Sequence, residues 1–193
     1  MNENIVALIP AAGRGSRMFS LTDENPKAML PLHNKPLIGH HLDKLIAENI
    51  KKVCIIIGYH GEKLVQYVKE FYIGKIDFMF VKQEKTDGLA TAVLLGIDAI
   101  INSKCASYND KLLVVLGDTI IEDSLSNLSE SDSFVGYHNV QDFKRWCIVT
   151  EENGVVETFY DKPQTLLLSA PYKAVIGVYY FTDIKLLQNS IKE

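Results

Sequence analysis

Residues 5–31 read IVALIPAAGRGSRMFSLTDENPKAMLP, and this stretch decides the fold. Ile5 to Ile9 is an unbroken apolar run rich in β-branched residues, the pattern of a strand buried on both faces. It leads into a small-residue turn, Ala11-Ala12-Gly13-Arg14-Gly15-Ser16-Arg17, and Lys27 follows between Pro26 and Pro31. A buried strand that runs into Gly-rich backbone beside fixed cations suits a phosphate ligand. Glycine lets peptide N–H groups approach an anion without Cβ interference. Arginine and lysine then supply charge.

Outward from this stretch, strand-like and helix-like segments alternate. Val53–Ile57, Ile76–Val81 and Leu112–Leu116 read as further buried strands. Pro36–Asn49, Glu62–Phe71 and Leu89–Ile101 carry apolar residues at helical spacing. Such alternation predicts a mostly parallel sheet with helices on both faces. After about residue 132 the helices stop. Ser133–Tyr137, Trp146–Thr150, Val155–Tyr160 and Ala174–Phe181 read as strands, with Glu152-Asn153-Gly154 as a hairpin turn, and Asp183–Glu193 as a short polar helix. The expectation is a single domain over 1–193, with an α/β half (1–131) and a β-rich half (132–193). Ligands of such sheets sit at the carboxyl ends of the parallel strands. That places the 10–18 turn and the segments after Val81 and Leu116 along one rim.

The chain has 193 residues and a net charge of −4, so it advertises no basic face for nucleic acid. Phosphate affinity then comes from a few local cations and a metal. No apolar run in the sequence is long enough to span a bilayer, and the reading expects no signal peptide. Cys54, Cys105 and Cys147 are scattered, odd in number and form no C-x-x-C pair, so a reducing, cytoplasmic setting is the default.

Two common phosphate motifs fail. Nothing fits a P-loop. A dinucleotide fingerprint would need glycine where Met18 stands, and the acid expected about twenty residues later has no candidate. The pair Ala11-Ala12-Gly13-x-Gly15-Ser16-Arg17-Met18 and Pro26-Lys27-x-Met29-Leu30-Pro31 resembles the opening of the sugar-1-phosphate nucleotidyltransferases. The resemblance implies a Rossmann-like nucleotide-diphospho-sugar transferase (GT-A-like) fold. It also implies transfer of a nucleoside monophosphate from an NTP to a sugar 1-phosphate, with Mg²⁺ as cofactor. Ala11, Ala12, Gly13, Gly15 and Ser16 would hold the nucleotide. Arg17 would neutralise the leaving pyrophosphate, and Lys27 would draw charge from the α-phosphate.

Three later segments extend the resemblance. Gln83-Glu-Lys-Thr-Asp-Gly-Leu-Ala resembles the thymidylyltransferase branch, where Gln83 and Gly88 would meet the base, with dTTP or UTP favoured. In Leu116-Gly117-Asp118-Thr119, Asp118 matches the aspartate that holds Mg²⁺. Asp161-Lys162-Pro163 stands where the family has Glu-Lys-Pro, so Asp161 would meet sugar hydroxyls and Lys162 the sugar phosphate. Trp146-Cys147 stands where the family has an aromatic residue and glycine, and Gly177 either lines the sugar pocket or marks a bulge. Family members often assemble, which extends the expectation of a homo-oligomer to this chain. The family also carries a second metal-binding aspartate beyond residue 193, so the chain resembles a C-terminally truncated member.

Two alternatives stay open at this point. One is a non-catalytic module that binds a nucleotide or nucleotide-sugar. The other is a compact cytidylyltransferase for an amino-alcohol phosphate, which Asp87-Gly88-Leu89-Ala90 argues against. His40 and His41 are neighbours on a helix, about 100° apart, and do not share a metal. Cys54 reads as core, and Tyr67, Phe71 and Tyr72 as packing.

Overall fold

The computed structural model describes residues 2, 4–13, 25–58, 60–85 and 87–193. In chain order the elements are β1 (Ile5–Pro10), β2 (Pro31–Leu32), β3 (Lys35–Pro36), α1 (Leu37–Ala47), β4 (Lys52–Ile57), α2 (Gly61–Tyr72) and β5 (Asp77–Lys82). They continue with α3 (Leu89–Asn102), β6 (Lys111–Val115), β7 (Phe134–Val140), β8 (Cys147–Glu152), β9 (Val155–Asp161), β10 (Tyr172–Phe181) and α4 (Ile184–Lys192). Single turns of 3-10 helix lie at Lys27–Met29 and Leu128–Glu130.

β1 occupies the middle of the parallel half, paired with β4 on one edge and β6 on the other. β5 extends that half beyond β4, also in parallel. The side chains of β1 alternate between two buried layers. Ile5, Ala7 and Ile9 pack with Leu42 of α1 and Leu64 and Val68 of α2. Val6 and Leu8 pack with Ala92, Ile97 and Ile100 of α3. Because each face meets a helical layer, the strand needs no polar residue, which explains the continuous apolar run. On the α3 side the approach is close, since a Cβ built on Gly96 would stand 2.4 Å from Leu8 Cδ1.

β10 joins the two halves. Its Val178–Phe181 segment runs antiparallel to β6, while Ala174 meets Ile148 of β8 farther along the same edge. β7 covers the other edge of β10, and β9 closes the far side against β8. Between Val175 and Tyr179 the pairing with β7 slips, and Gly177 adopts φ +81° there. The β8–β9 hairpin turns at Asn153 (φ 53°) and Gly154 (φ 81°), the positive-φ pair that a two-residue turn demands. α4 is clamped onto α3 by buried Gln188, which accepts from Tyr108 at 2.8 Å and donates to Asp98 at 2.6 Å. The architecture is the expected α/β fold, with a mixed and mostly parallel sheet and a β-rich second half. The sequence pattern did not reveal the small β2–β3 ribbon, in which Pro31 pairs with Pro36 immediately before α1.

Candidate active site

The carboxyl ends of β1, β5 and β6 open into one cleft of about 380 Å³. Ala11, Ala12, Gly13, Lys27, Gln83, Gly88, Gly117 and Asp118 line it, together with apolar Pro10, Ala28, Leu89, Ala92 and Leu116. Residues widely separated in sequence therefore converge here as the strand-end rule requires. Gly15, Ser16 and Arg17 lie outside the described residues.

Each lining group is fixed by its element. The Ala11 N–H donates to the Ile56 carbonyl at 2.9 Å, which holds the turn after β1 against the end of β4. Lys27 projects from the 3-10 turn, whose next residue, Ala28, is 1% exposed and anchors the turn in the core. Gln83 follows β5 and its N–H bonds the Ile57 carbonyl at 2.9 Å, leaving a mostly buried amide at the cleft wall. Gly88, at φ 116°, caps α3 with no side-chain acceptor, and no acid occupies the first turn of that helix. Among the described residues no side chain accepts from the first-turn N–H groups of α3, which begins at the cleft wall, a setting that favours anions.

Asp118 follows β6 on a loop with several backbone tethers. The Leu116 N–H bonds the Gly177 carbonyl at 2.9 Å, the Gly117 N–H bonds the Pro10 carbonyl at 3.3 Å, and the Thr119 hydroxyl donates to the Ile176 carbonyl at 2.6 Å. The Asp118 carboxylate forms an ion pair with Lys27 across the cleft. No group of three or more His, Cys, Asp or Glu side chains capable of holding a metal occurs among the described residues.

Gly177 stands behind this loop. A Cβ built there would lie 2.7 Å from Leu116 Cγ, so the glycine is the bulge residue that admits the Asp118 loop. Trp146, Asp161 and Lys162 gather at the base of the β8–β9 hairpin, where the Lys162 N–H bonds the Trp146 carbonyl at 3.1 Å. The Lys162 ammonium lies 3.7 Å from the Asp161 carboxylate, with both exposed. These three residues and Gly177 do not line the cleft. The hairpin base is level with Val175, just beyond the end of β6. β8 continues along the edge of β10 that β6 occupies, so β9 is displaced from the line of β6 by one strand spacing, about 4.8 Å.

Residues 6–193 match the family model described as nucleotidyl transferase. The chain belongs to the nucleotidyl transferase family. It is 33% identical over 186 residues to the bifunctional protein GlmU of Methanococcus maripaludis strain S2, covering 96% of this chain and 40% of that protein. It is 26% identical to the UTP–glucose-1-phosphate uridylyltransferase AglF of Haloferax volcanii, covering 91% of this chain and 71% of that protein. The structure superposes with a TM-score of 0.82 on a Bacillus anthracis protein assigned as a glucose-1-phosphate thymidylyltransferase, solved with sucrose. The two are 28% identical, and the match covers 98% of this chain and 75% of that one. The chain thus spans about two fifths of the length of the GlmU relatives it matches.

Two residues stand behind the cleft without lining it: Gly58, which the sequence reading passed over, and His41, which it considered only as one of a histidine pair that does not share a metal. A Cβ on Gly58 would stand 2.7 Å from the Ala12 carbonyl oxygen, a backbone contact with no room to yield. His41, on α1, is 5% exposed and lies beneath the Gly117–Asp118 loop. Burial pushes its imidazole down to about 4, against the opposing pull of the Gly117 backbone and of the Asp118 charge. Its Nε2 has no partner among the described residues. Cys54 is core, as expected: it is fully buried, and its thiol is pushed up to about 12.

Two outcomes follow from these contacts. Gly58→Ala displaces the Ala11–Gly13 turn and weakens nucleotide binding about tenfold or more, read by titration calorimetry, while the fold persists by circular dichroism. For His41, the folded group titrates near 4 and the unfolded one near 6.5, so between these values only the unfolded chain takes up the proton. Stability is therefore complete above about pH 6.5 and declines as pH falls toward 4, by about 3 kcal/mol in all. Urea unfolding across that window shows this slope in the wild type and not in His41→Leu.

Proposed function

We propose that this chain forms the catalytic core of a sugar-1-phosphate nucleotidyltransferase, moving a nucleoside monophosphate from dTTP or UTP to a sugar 1-phosphate and releasing pyrophosphate. The observation that carries the reading is the convergence of the Ala11–Gly13 backbone, Lys27, the open N-terminus of α3 and Asp118 on one cleft. The printed names of AglF and the Bacillus anthracis protein support the same substrate class.

The acceptor phosphate is already an anion near neutral pH, so no protein nucleophile is required. What remains is to position two phosphates and neutralise charge. Ala11, Ala12 and Gly13 hold the nucleotide through backbone, together with Gly15 and Ser16. Gln83 reads the base with an amide that both donates and accepts, and Gly88 leaves the base free of a side chain. Lys27 leaves Asp118 for the α-phosphate, and Arg17 takes the pyrophosphate. Lys162 holds the acceptor phosphate, with Asp161 and Trp146 beside the sugar and Gly177 shaping the wall between. The nucleotide half is then 1–131 and the sugar half 132–193.

Asp118 fits Mg²⁺. It is a partly exposed carboxylate outside any acidic cluster among the described residues, and Mg²⁺ commonly takes one or two carboxylates and completes its shell with water and phosphate oxygens. When bound, the ion supplies neutralisation of phosphate charge.

The test is pyrophosphate release from dTTP, UTP, CTP and GTP with Mg²⁺ and glucose 1-phosphate, run beside nucleotide-induced thermal shifts. Release with dTTP or UTP is expected. Lys27→Ala lowers turnover by about a hundredfold or more while changing the thermal shift little. Nucleotide stabilisation without release would replace the enzyme with a binding module, and near-normal turnover of Lys27→Ala would remove that residue's role.

A further inference from the structure

We propose that two copies of this chain join along the outer edge of β5, pairing antiparallel about a two-fold axis at Met79 so that their sheets become one. The inference is independent of the reaction read from the cleft.

β5 is the last strand on its side of the sheet, and no described residue pairs with its outer edge. Between Asp77 and Lys82 it carries only Phe78, Met79, Phe80 and Val81, all half-buried. An apolar edge without proline or charge is a template for another strand. The outermost strand of the second half is protected: β9 carries Glu157 and Asp161, and its pairing slips between Thr150 and Glu151. In β5 the Asp77 and Gln83 N–H groups bond the Lys51 and Ile57 carbonyls. By alternation, Phe78, Phe80 and Lys82 turn their N–H and C=O groups outward. An antiparallel partner sets outward residues opposite outward residues. Centred on Met79, Phe78 of each copy meets Phe80 of the other, and the paired residues exchange backbone hydrogen bonds. The Phe78 and Phe80 rings, 5.4 Å apart within one chain, then join into a cluster of four. A register centred on Phe80 would instead set Lys82 against Phe78.

The flanking helix supplies the charge complementarity that makes the occupant a second copy. Tyr67 points from α2 toward α1, since its hydroxyl would stand 2.6 Å from a Cβ built on Gly39. The opposite flank of α2, turned toward the outer edge of β5, carries Glu62, Val65, Gln66 and Lys69. With Ile57 and Glu70 these line a shallow groove of about 630 Å³. Twelve residues of helix and six of strand each span roughly 18–20 Å. Because α2 runs opposite to β5 over the same length, an axis at Met79 passes close to Val65 and Gln66. It brings Glu62 of each copy beside Lys69 of the other. Neither Glu62 nor Lys69 has an ion pair within the chain among the described residues. As the crossover between β4 and β5, α2 lies over that strand pair, so the two helices come about 10 Å apart, the separation of packed helices. The two clefts then open at opposite ends of the joined sheet and stay accessible.

Sedimentation equilibrium on the whole chain is expected to give twice the 21.7 kDa of one copy. Glu62→Lys and Lys69→Glu, both at exposed positions, each raise the dissociation constant about tenfold. The two combined in one chain recover most of the loss, because the pairs re-form with their signs exchanged. With Cys105→Ser and Cys147→Ser as background, Met79→Cys closes a disulfide between copies on mild oxidation, since residues facing each other across the axis lie within disulfide reach. Val81→Cys, which faces Asp77 in this register, does not. A monomer at sub-millimolar concentration would overturn the proposal and leave the edge of β5 to another occupant. A dimer that Met79→Cys fails to cross-link, or in which the double charge exchange binds no better than the single variants, would place the contact on another face and overturn it equally.

Discussion

The structure depends on β1 being enclosed on every side. Its faces are buried by two helical layers and its edges by β4 and β6, so its carboxyl end emerges at one fixed point between their ends. The Ala11 N–H reaches the Ile56 carbonyl, and the Pro10 carbonyl receives the Gly117 N–H. Three strand ends are thereby bonded into one rim, and the residues after them inherit their positions. The small side chains of the turn follow from this crowding, since the backbone of Ala12 lies against Gly58 and that of Ala11 against Gly117.

The second half is coupled to this rim through β10. One end of the strand completes the parallel sheet, and the other carries β7 and the β8–β9 hairpin beyond it. The slip at Gly177 lies between the two roles and receives Leu116 and Thr119. The loop bearing Asp118 is thus held from the parallel half and from the β-rich half together. A shift of the hairpin would be felt at Asp118 through backbone contacts.

Much of this was legible in the sequence because the signals are local. Continuous β-branched runs give strands, and Asn153-Gly154 gives a turn. Gln83, Gly88 and Asp118 are found simply by stepping past the end of a strand. What was not legible depends on distant backbone. Gly58 looks like an ordinary strand terminator until Ala12 is placed against it. His41 fits the helical apolar stripe as well as leucine would, and its burial beside the Gly117–Asp118 loop emerges only when α1 is packed against the sheet. The pairing of Lys27 with Asp118 joins residues 91 positions apart. The single long β10 likewise looks like one more strand until its two sets of neighbours are known.

The Lys27–Asp118 pair has a consequence for how the cleft fills. While the two charges are closed on each other, each is a competitor for the other's ligand. An anion that captures the ammonium releases the carboxylate, and a cation that captures the carboxylate releases the ammonium. Two ligands of opposite sign therefore assist one another, and by thermodynamic reciprocity each raises the affinity of the other by the same factor. The ion pair works as a latch that two keys open more easily together than either does alone.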